Sequence, residues 1–152
     1  AESLTQVFRL PAVRDAGVAL QPISMHSVFK AHDSICALQP MQQKTGATHA
    51  CAWADSDGAI QYVREDVGRH NALDKLLGVL CKQEVKGGFI LTSSRASYEM
   101  VQKAAMAGIA IVVAVSAPTA MAIDIARKAS ISLVGFSRDG RHVVYSNHQR
   151  LI

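Results

Sequence analysis

The stretch "IAIVVAVSAPTAMAIDIARKASISLVGF", residues 109–136, decides the fold, because it contains one complete strand-helix-strand pattern. Its first seven residues are apolar without alternation, which is typical of a strand buried on both faces of a parallel sheet. The next segment predicts a helix with Ser116 as its N-cap and Pro118 in the first turn, where a missing N–H costs nothing. "ISLVGF", 131–136, predicts the following strand. Together these segments predict a parallel β-α-β unit.

The same alternation continues on the N-terminal side of this unit. "GGFILT", 87–92, predicts a short strand, and "SYEMVQKAAMAG", 97–108, predicts a helix that stops at Gly108. Residues 70–83 predict an earlier helix, with leucines three and four positions apart on one face. Strands and helices in alternation predict an α/β fold, in which a layered sheet has parallel neighbouring strands.

Two further strands are predicted before this alternation and one after it. "ATHACAW", 47–53, and "AIQYVRE", 59–65, flank the turn "DSDG" and predict a β-hairpin. "RHVVYS", 141–146, predicts the last strand.

The N-terminal third has a weaker pattern. Residues 24–44 predict a helix that Pro40 kinks or ends, and residues 1–25 predict little regular structure. We expect a connecting, partly helical segment at residues 1–44 and a ligand-binding domain at residues 45–152, packed together as one compact unit.

The composition indicates a folded protein of the cytoplasm. Of the 152 residues, 49% are hydrophobic and 18% are charged, which excludes disordered and fibrous classes. The longest apolar run has seven residues, whereas a bilayer span needs about 20, and no secretory signal opens the chain. Three widely spaced cysteines, Cys36, Cys51 and Cys81, argue against a disulfide framework, and we expect all three to be buried core residues in a reducing compartment.

The net charge of +4 is concentrated at the C-terminal end. Aromatic residues make up only 5% of the chain, so an extended nucleic-acid track with stacking platforms is not expected. A compact anion, such as a phosphorylated small molecule, suits the charge pattern better. Residues 127–152 contain one acidic residue, Asp139, and five basic ones: Arg127, Lys128, Arg138, Arg141 and Arg150.

Four polar junctions follow the predicted strands, at the edge of an α/β sheet where ligands bind. They read "REDVGRHN", "TSSRAS", "SAPT" and "SRDGR", and together they bring Arg69, Arg95, Arg138 and Arg141 to one edge. Arginine suits phosphate oxygens and the edge of guanine. Each junction also has a structural explanation: serine and threonine cap helices, "SRDG" makes an ordinary turn, and Asp66 pairs locally with Arg69 or His70.

Known hydrolytic motifs are not found in the sequence. Zinc deaminases use H-x-E followed by P-C-x-x-C, but Cys51 stands where the glutamate would follow His49, and no P-C-x-x-C occurs. We therefore expect no zinc. A Cys51–His49 nucleophilic pair stays open, although residues two apart on a strand are not forced into contact.

Taken together, the junctions resemble those of a known family. The segments "TGATHACAW", "EDVGRHNALDK", "SSRASYEMVQKAAMAG", "SAPTAMA" and "LVGFSRDGRHVVY" are similar, in order and spacing, to the C-terminal domain of the formate dehydrogenase accessory sulfurtransferase family, FdhD. The resemblance covers residues 45–150. Residues 1–44 fit it less distinctively.

The resemblance implies a cytidine-deaminase-like α/β/α fold without the zinc site. It implies a cytoplasmic homodimer that takes persulfide sulfur from a cysteine desulfurase and passes it to the bis-molybdopterin guanine dinucleotide molybdenum cofactor, before that cofactor enters formate dehydrogenase. The family's catalytic cysteines lie in a CxxC loop, and "AESL" at residues 1–4 is similar to the residues just after it. We therefore expect this chain to be the C-terminal, cofactor-binding part, with no catalytic residue of its own.

The residues carried over from the resemblance form a cofactor site. The family's cofactor-binding segment matches Phe136, Ser137, Arg138, Asp139, Gly140 and Arg141. Arg138 and Arg141 would bind phosphates, Asp139 would accept from the donor edge of guanine, and GDP would act as a partial mimic of the cofactor. Arg141→Ala would test this site, with Arg150→Ala as the control, because we expect Arg150 to be a surface residue.

The first turn of the predicted helix near residue 70 would form a second side of this site. There we expect Arg69 and His70 to face anionic groups, and Asp66 to hold Arg69 or Arg95 in place. Two other classes compete with the sulfurtransferase interpretation: a guanine-nucleotide-binding regulatory domain without catalysis, and a zinc-free relic that hydrolyses a nucleotide.

Overall fold

The computed structural model describes residues 22–83, 87–136 and 141–152, without the side chain of Cys36. The helices in this part of the chain are α1 (Met25–Ile35), α2 (Pro40–Thr45), α3 (Arg69–Lys82), α4 (Tyr98–Met106) and α5 (Ala120–Lys128), with 3-10 turns at Cys36–Leu38 and His148–Arg150. The strands are β1 (His49–Ala54), β2 (Ile60–Asp66), β3 (Phe89–Thr92), β4 (Ile111–Ala114), β5 (Ser132–Phe136) and β6 (His142–Ser146).

The six strands form one mixed sheet in the order β2-β1-β3-β4-β5-β6. Strands β3, β4 and β5 are parallel neighbours, while β1 runs antiparallel to β2 and β3, and β6 runs antiparallel to β5. The predicted α/β class, the hairpin and the parallel strand-helix-strand unit are therefore confirmed.

The core lies at the centre of the sheet. Every residue of β3, β4 and β5 is buried, which explains why these strands read as unbroken apolar runs. Strand β2 lies at the edge of the sheet, and its residues are only partly buried or exposed, as expected where one side of a sheet faces water.

The start of α5 differs from the prediction. The N-cap is Thr119, whose hydroxyl accepts a hydrogen bond from the Ala122 N–H at 3.1 Å. The predicted cap, Ser116, and Pro118 both lie before the helix. The reason is a tertiary contact, because the Thr119 N–H donates to the carbonyl of Ala96 at 3.2 Å and so fixes where the chain can begin to coil.

The expectation that all three cysteines are buried is wrong for Cys81. Cys51 is buried in β1, but Cys81 is exposed near the C-terminal end of α3. The buried face of α3 is set by Leu73, Leu76 and Leu80, and the residue after Leu80 is rotated about 100° away from that face. The side chain of Cys36 lies outside the described part of the chain.

Residues 25–45 form two helices rather than one kinked helix. The first ends at Ile35, and Pro40 occupies the first turn of the second, where proline is favoured. Glu65, the penultimate residue of β2, anchors this second helix: its carboxylate accepts from the N–H groups of Met41 and Gln42 at 3.2 and 3.0 Å. The helical segment is thereby attached to the end of the sheet that carries the polar junctions.

Arg150 is also placed differently from the prediction, since its residue is only 6% exposed. Its guanidinium donates to the carbonyl of Ser130 and to the hydroxyl of Ser132. It therefore stabilises the fold and is not suitable as a surface control for Arg141.

Candidate functional site

The strand register brings the polar junctions to one edge of the sheet. His49 lies opposite Asp66 in the β1–β2 pair, and Phe136 lies opposite His142 in the β5–β6 pair. The parallel strands end at the same edge, at Thr92, Ala114 and Phe136.

The predicted gathering of junctions at this edge is confirmed for the described residues. Four predicted binding residues, Ser137, Arg138, Asp139 and Gly140, lie outside them.

Asp66, at the end of β2, is held by a lysine. Its carboxylate lies 2.6 Å from Lys75 Nζ and accepts from the Gly68 N–H at 3.0 Å. The hydrogen bond from Lys75, followed by that from Gly68, lowers the pKa of Asp66 to about 2. The expected pairing of Asp66 with Arg69 or Arg95 is therefore wrong. Residues 71 and 75 are one helical turn apart, and since Asn71 also donates to Asp66 at 3.4 Å, this spacing was the signal for Lys75.

Arg69 and His70 occupy the first turn of α3, which begins after Gly68 without a side-chain cap. The Nε atom of Arg69 and the Nδ1 atom of His70 are both buried, and neither has a hydrogen-bond partner in the described part of the structure. The Oε2 atom of Glu99 is the ion-pair partner nearest to His70 Nδ1, but at 3.6 Å it is too far for a hydrogen bond. Buried polar atoms are normally satisfied. These two atoms therefore indicate a place for a group that the described residues do not supply.

The junction after β3 is a hydrogen-bonded loop that presents one arginine. Ser94 is buried and its hydroxyl donates to the carbonyl of Arg95 at 3.1 Å, while Ser93 Oγ accepts from the Ala50 N–H at 2.9 Å. Ser97 caps α4 by accepting from the Met100 N–H. The serines are thus structural, as the capping alternative predicts, and the side chain left exposed is that of Arg95.

Phe136 is covered by other aromatic side chains. It is 1% exposed, its ring stacks on the imidazole of His32 with centroids 4.4 Å apart, and Phe29 meets it edge-on at 5.3 Å. A ligand would reach this position through the backbone or through His32. Arg141, which precedes β6, is exposed at the same edge.

A cleft of about 600 Å³ lies between the helical segment and the sheet edge. Among the described residues that line it, none is an aspartate, glutamate, lysine or arginine. Sequence reasoning missed this cleft, because its polar side chains come from separate segments and those of His32, Gln39, Gln42 and Gln43 lie in no recognised motif. The lining residues are His32, Ile35, Gln39, Gln42, Gln43, Gly46, Ala47, Thr48, His49, Ser93 and Val115.

Cys51 is poorly suited to nucleophilic chemistry. Burial raises the pKa of its thiol to about 11, although a hydrogen bond with Thr92 acts in the opposite direction. A reactive cysteine needs the thiolate near neutral pH, so the Cys51–His49 pair is not favoured.

Metal and membrane features were also sought within the described residues. No group of three or more His, Cys, Asp or Glu side chains there is placed to hold a metal ion. The absence of zinc stays a prediction, which elemental analysis of the purified protein tests. No helix in the described part of the chain is both long and apolar enough to cross a bilayer.

These features define a mixed α/β domain with a candidate ligand-binding edge at the ends of its parallel strands. The chain belongs to the FdhD/NarQ family, whose profile matches residues 4–152. It is 49% identical over 153 residues to "Sulfur carrier protein FdhD" of Bordetella petrii, covering 99% of this chain and 54% of that protein. It is 50% identical over 152 residues to the protein of the same name from Cupriavidus necator, covering 99% of this chain and 52% of that one.

The fold is also similar to a solved structure. The crystal structure of a protein from Desulfotalea psychrophila, described as a formate dehydrogenase accessory protein, matches with a TM-score of 0.82 at 26% identity. The match covers 97% of this chain and 62% of that one. Judged by the two sulfur carrier proteins above, the chain spans about half the length of the curated relatives it matches.

Proposed function

We propose that this chain is the cofactor-binding part of a sulfur carrier protein that serves formate dehydrogenase. The names of its relatives and the description of its structural neighbour support the sulfur-carrier and formate dehydrogenase parts of this assignment. The proposed ligand is the bis-molybdopterin guanine dinucleotide molybdenum cofactor, and the proposed setting is a cytoplasmic homodimer.

The observation that carries the proposal is the pair of unsatisfied buried atoms, Arg69 Nε and His70 Nδ1, at the start of α3. A helix start without a side-chain cap also presents free N–H groups. Together these groups fit an anionic oxygen, such as those of a pyrophosphate. The residues present thus fit the phosphorylated part of the cofactor.

The remaining site residues have distinct roles in this proposal. Arg95 and Arg141 are exposed on neighbouring junctions and bind outer phosphate oxygens. Asp66 does not contact the ligand: its carboxylate is neutralised by Lys75 and fixes the turn that leads into α3. Beyond the described residues, Arg138 adds a further phosphate contact and Asp139 accepts from the N1–H and 2-amino edge of guanine. The molybdenum centre of the bound cofactor supplies the atom that accepts sulfur.

The sulfur itself is carried elsewhere. We propose that a cysteine desulfurase loads persulfide sulfur onto a CxxC loop in the other half of the full-length protein. Cys51 is buried and its pKa is raised, and Cys81 lies near the end of α3 that is remote from the site edge. Neither is placed to carry sulfur to a ligand at this edge.

Calorimetric titration of the purified chain with GDP, GMP and ADP tests the cofactor proposal. We expect the guanine nucleotides to bind more tightly than ADP, because the proposed site reads the donor edge of guanine. Equal affinity for GDP and ADP would refute the guanine assignment, and no binding of either would refute the site.

An assay on the full-length protein distinguishes the proposed sulfur carrier from a regulatory domain without catalysis. We expect the CxxC cysteines of that protein to acquire a persulfide when a cysteine desulfurase and cysteine are supplied, as detected by mass spectrometry. A nucleotide-binding protein that acquires no persulfide would favour the regulatory alternative.

A further inference from the structure

We propose that Lys75 is a positioning residue for the phosphate site: it holds the carboxylate of Asp66 and so keeps the guanidinium of Arg69 free for a ligand. The inference rests on the proposed function and deepens it, because it explains how an acidic side chain can stand beside a site for anions. Lys75 acts on the ligand only through Asp66.

Lys75 lies on α3 and contacts the end of β2 twice. Its Nζ atom is 2.6 Å from Asp66 Oδ2 and donates to the backbone carbonyl of Glu65 at 3.1 Å. A single ion pair at the surface contributes little. The second contact, to the backbone of the same strand, fixes where the ammonium group lies relative to the carboxylate.

The other oxygen of Asp66 is used by the turn that leads into α3. Oδ1 accepts from the Gly68 N–H at 3.0 Å and lies 3.4 Å from Asn71 Nδ2. The hydrogen bond from Lys75, and after it the one from Gly68, lowers the pKa of Asp66 to about 2. The carboxylate is therefore charged at neutral pH, at the start of the helix that carries the proposed anion-binding side chains.

Arg69 directly follows Gly68, yet its Nε atom is buried and has no hydrogen-bond partner in the described part of the structure. Arginine and carboxylate groups form strong, commonly bidentate pairs, so a pair between Asp66 and Arg69 is the local arrangement to expect. Its absence has a cause in the contacts of Asp66. Oδ1 is used by the turn and Oδ2 by Lys75.

Without Lys75, the carboxylate of Asp66 becomes a competitor for Arg69. Its Oδ2 atom is released, and Arg69 lies on the same turn. A guanidinium paired with a carboxylate attracts a phosphate less, because the two opposite charges largely cancel at the distance of the ligand. Removal of the Asp66 charge in the same protein should then restore binding, which a purely structural role of Lys75 does not predict.

The test is calorimetric titration with GDP of three variants: Lys75→Met, Lys75→Arg and the double variant Lys75→Met/Asp66→Asn. For Lys75→Met we expect the affinity to fall about three- to tenfold, less than for Arg69→Met because Arg69 keeps its charge. The double variant should bind nearly as tightly as the wild type, since an asparagine oxygen can still accept from the Gly68 N–H. Lys75→Arg should bind like the wild type, because arginine also pairs with a carboxylate.

Lys103→Met is the matched control. Lys103 also forms an ion pair with an aspartate of α3, at 2.9 Å from Asp74, but Asp74 lies about 140° around the helix from Arg69. This variant should leave the affinity for GDP unchanged.

NMR of the free protein gives a measurement that does not depend on a ligand. The Nε–H signal of Arg69 is identified by its loss in Arg69→Met. It should shift in Lys75→Met, where Asp66 becomes its acceptor, and return in the double variant.

The outcomes distinguish this inference from the proposed function. If Arg69→Met weakens GDP binding but Lys75→Met does not, the proposed function stands and the inference is refuted. If no variant binds GDP, yet the Arg69 signal shifts and returns as expected, the proposed ligand is refuted and the hold of Lys75 on Asp66 stands. A double variant that binds as weakly as Lys75→Met, or a Lys75→Met protein whose Arg69 signal does not move, would overturn the inference.

Discussion

Substitution of Arg69 by methionine separates binding from folding at the proposed phosphate site. Methionine keeps an unbranched apolar stem of similar reach, so packing along α3 is largely preserved. What disappears is the guanidinium, including the buried Nε atom that has no hydrogen-bond partner in the described structure.

Two opposite effects follow from that geometry. If Nε meets a phosphate oxygen of the ligand, its loss removes a charge-assisted hydrogen bond worth about 1.5–3 kcal/mol of binding free energy. That corresponds to roughly ten- to a hundredfold in affinity for GDP. An unsatisfied buried donor also costs the free protein about 1–3 kcal/mol.

The Arg69 residue as a whole is only partly buried, so removing the guanidinium also gives up contacts with solvent, and that loss offsets most of the gain from removing the buried Nε. We therefore expect a gain of no more than about 1 kcal/mol, or about 2–4 °C in melting temperature.

The assay is calorimetric titration with GDP at two salt concentrations, together with thermal unfolding of the free protein. Arg127→Met is the control, because Arg127 is exposed in the last turn of α5, at the opposite edge of the sheet. It should change affinity little at either salt concentration. A loss shared equally by both variants that vanishes at high salt would indicate a diffuse basic field. Unchanged affinity in Arg69→Met, or a melting temperature several degrees lower, would contradict the assignment of Arg69 as a ligand-binding residue.

Three further predictions concern the same edge and the cysteines. Arg141→Ala should weaken GDP binding about ten- to a hundredfold with Arg127→Ala unchanged, and calorimetry that finds the two variants alike would place Arg141 outside the site. The pKa of Asp66 is lowered to about 2, so its stabilising effect should be fully present above about pH 4 and lost as the pH falls through 2. Denaturant unfolding should show a larger acid-dependent loss of stability in the wild type than in Asp66→Asn, and equal losses would contradict this. Iodoacetamide at pH 8 should modify exposed Cys81 well before buried Cys51, and peptide mass spectrometry showing equal rates would contradict this order.

The strands and helices of the C-terminal two thirds could be predicted because each depends on local periodicity. The run at 109–115 is apolar throughout because β4 has parallel neighbours on both sides, and that environment is visible in the sequence. The hairpin at 49–66 could be found in the same way, from two strands flanking a short polar turn. Where the prediction needed only neighbours in sequence, it was confirmed.

The errors arose where a tertiary contact decided between local alternatives. Ser116 and Thr119 are both good cap residues, and the bond from Thr119 N–H to the Ala96 carbonyl selects the second. Likewise, Asp66 had arginines close by in sequence, but Lys75 reaches it once α3 has formed. No pattern within a single segment contains the first choice, and the second is indicated only by the helical spacing of Asn71 and Lys75.

The cleft was missed for a related reason. Its lining residues come from α1, α2, the start of β1 and the junctions after β3 and β4. The sequence of each segment does not show that these segments meet around one cleft.

The polar groups at this edge fall into two sets, those that are hydrogen-bonded within the protein and those that are not. Ser94, Ser97 and Asp66 are bonded within the protein and fix the loops in place. Arg69 Nε and His70 Nδ1 have no hydrogen-bond partners among the described residues, although both residues belong to the first turn of α3. Folding alone gains nothing from leaving such groups unpaired. Their positions are explained if a ligand places its anionic part at the start of α3. The Arg69→Met variant should then lose affinity for that part of the ligand while the free protein keeps its stability.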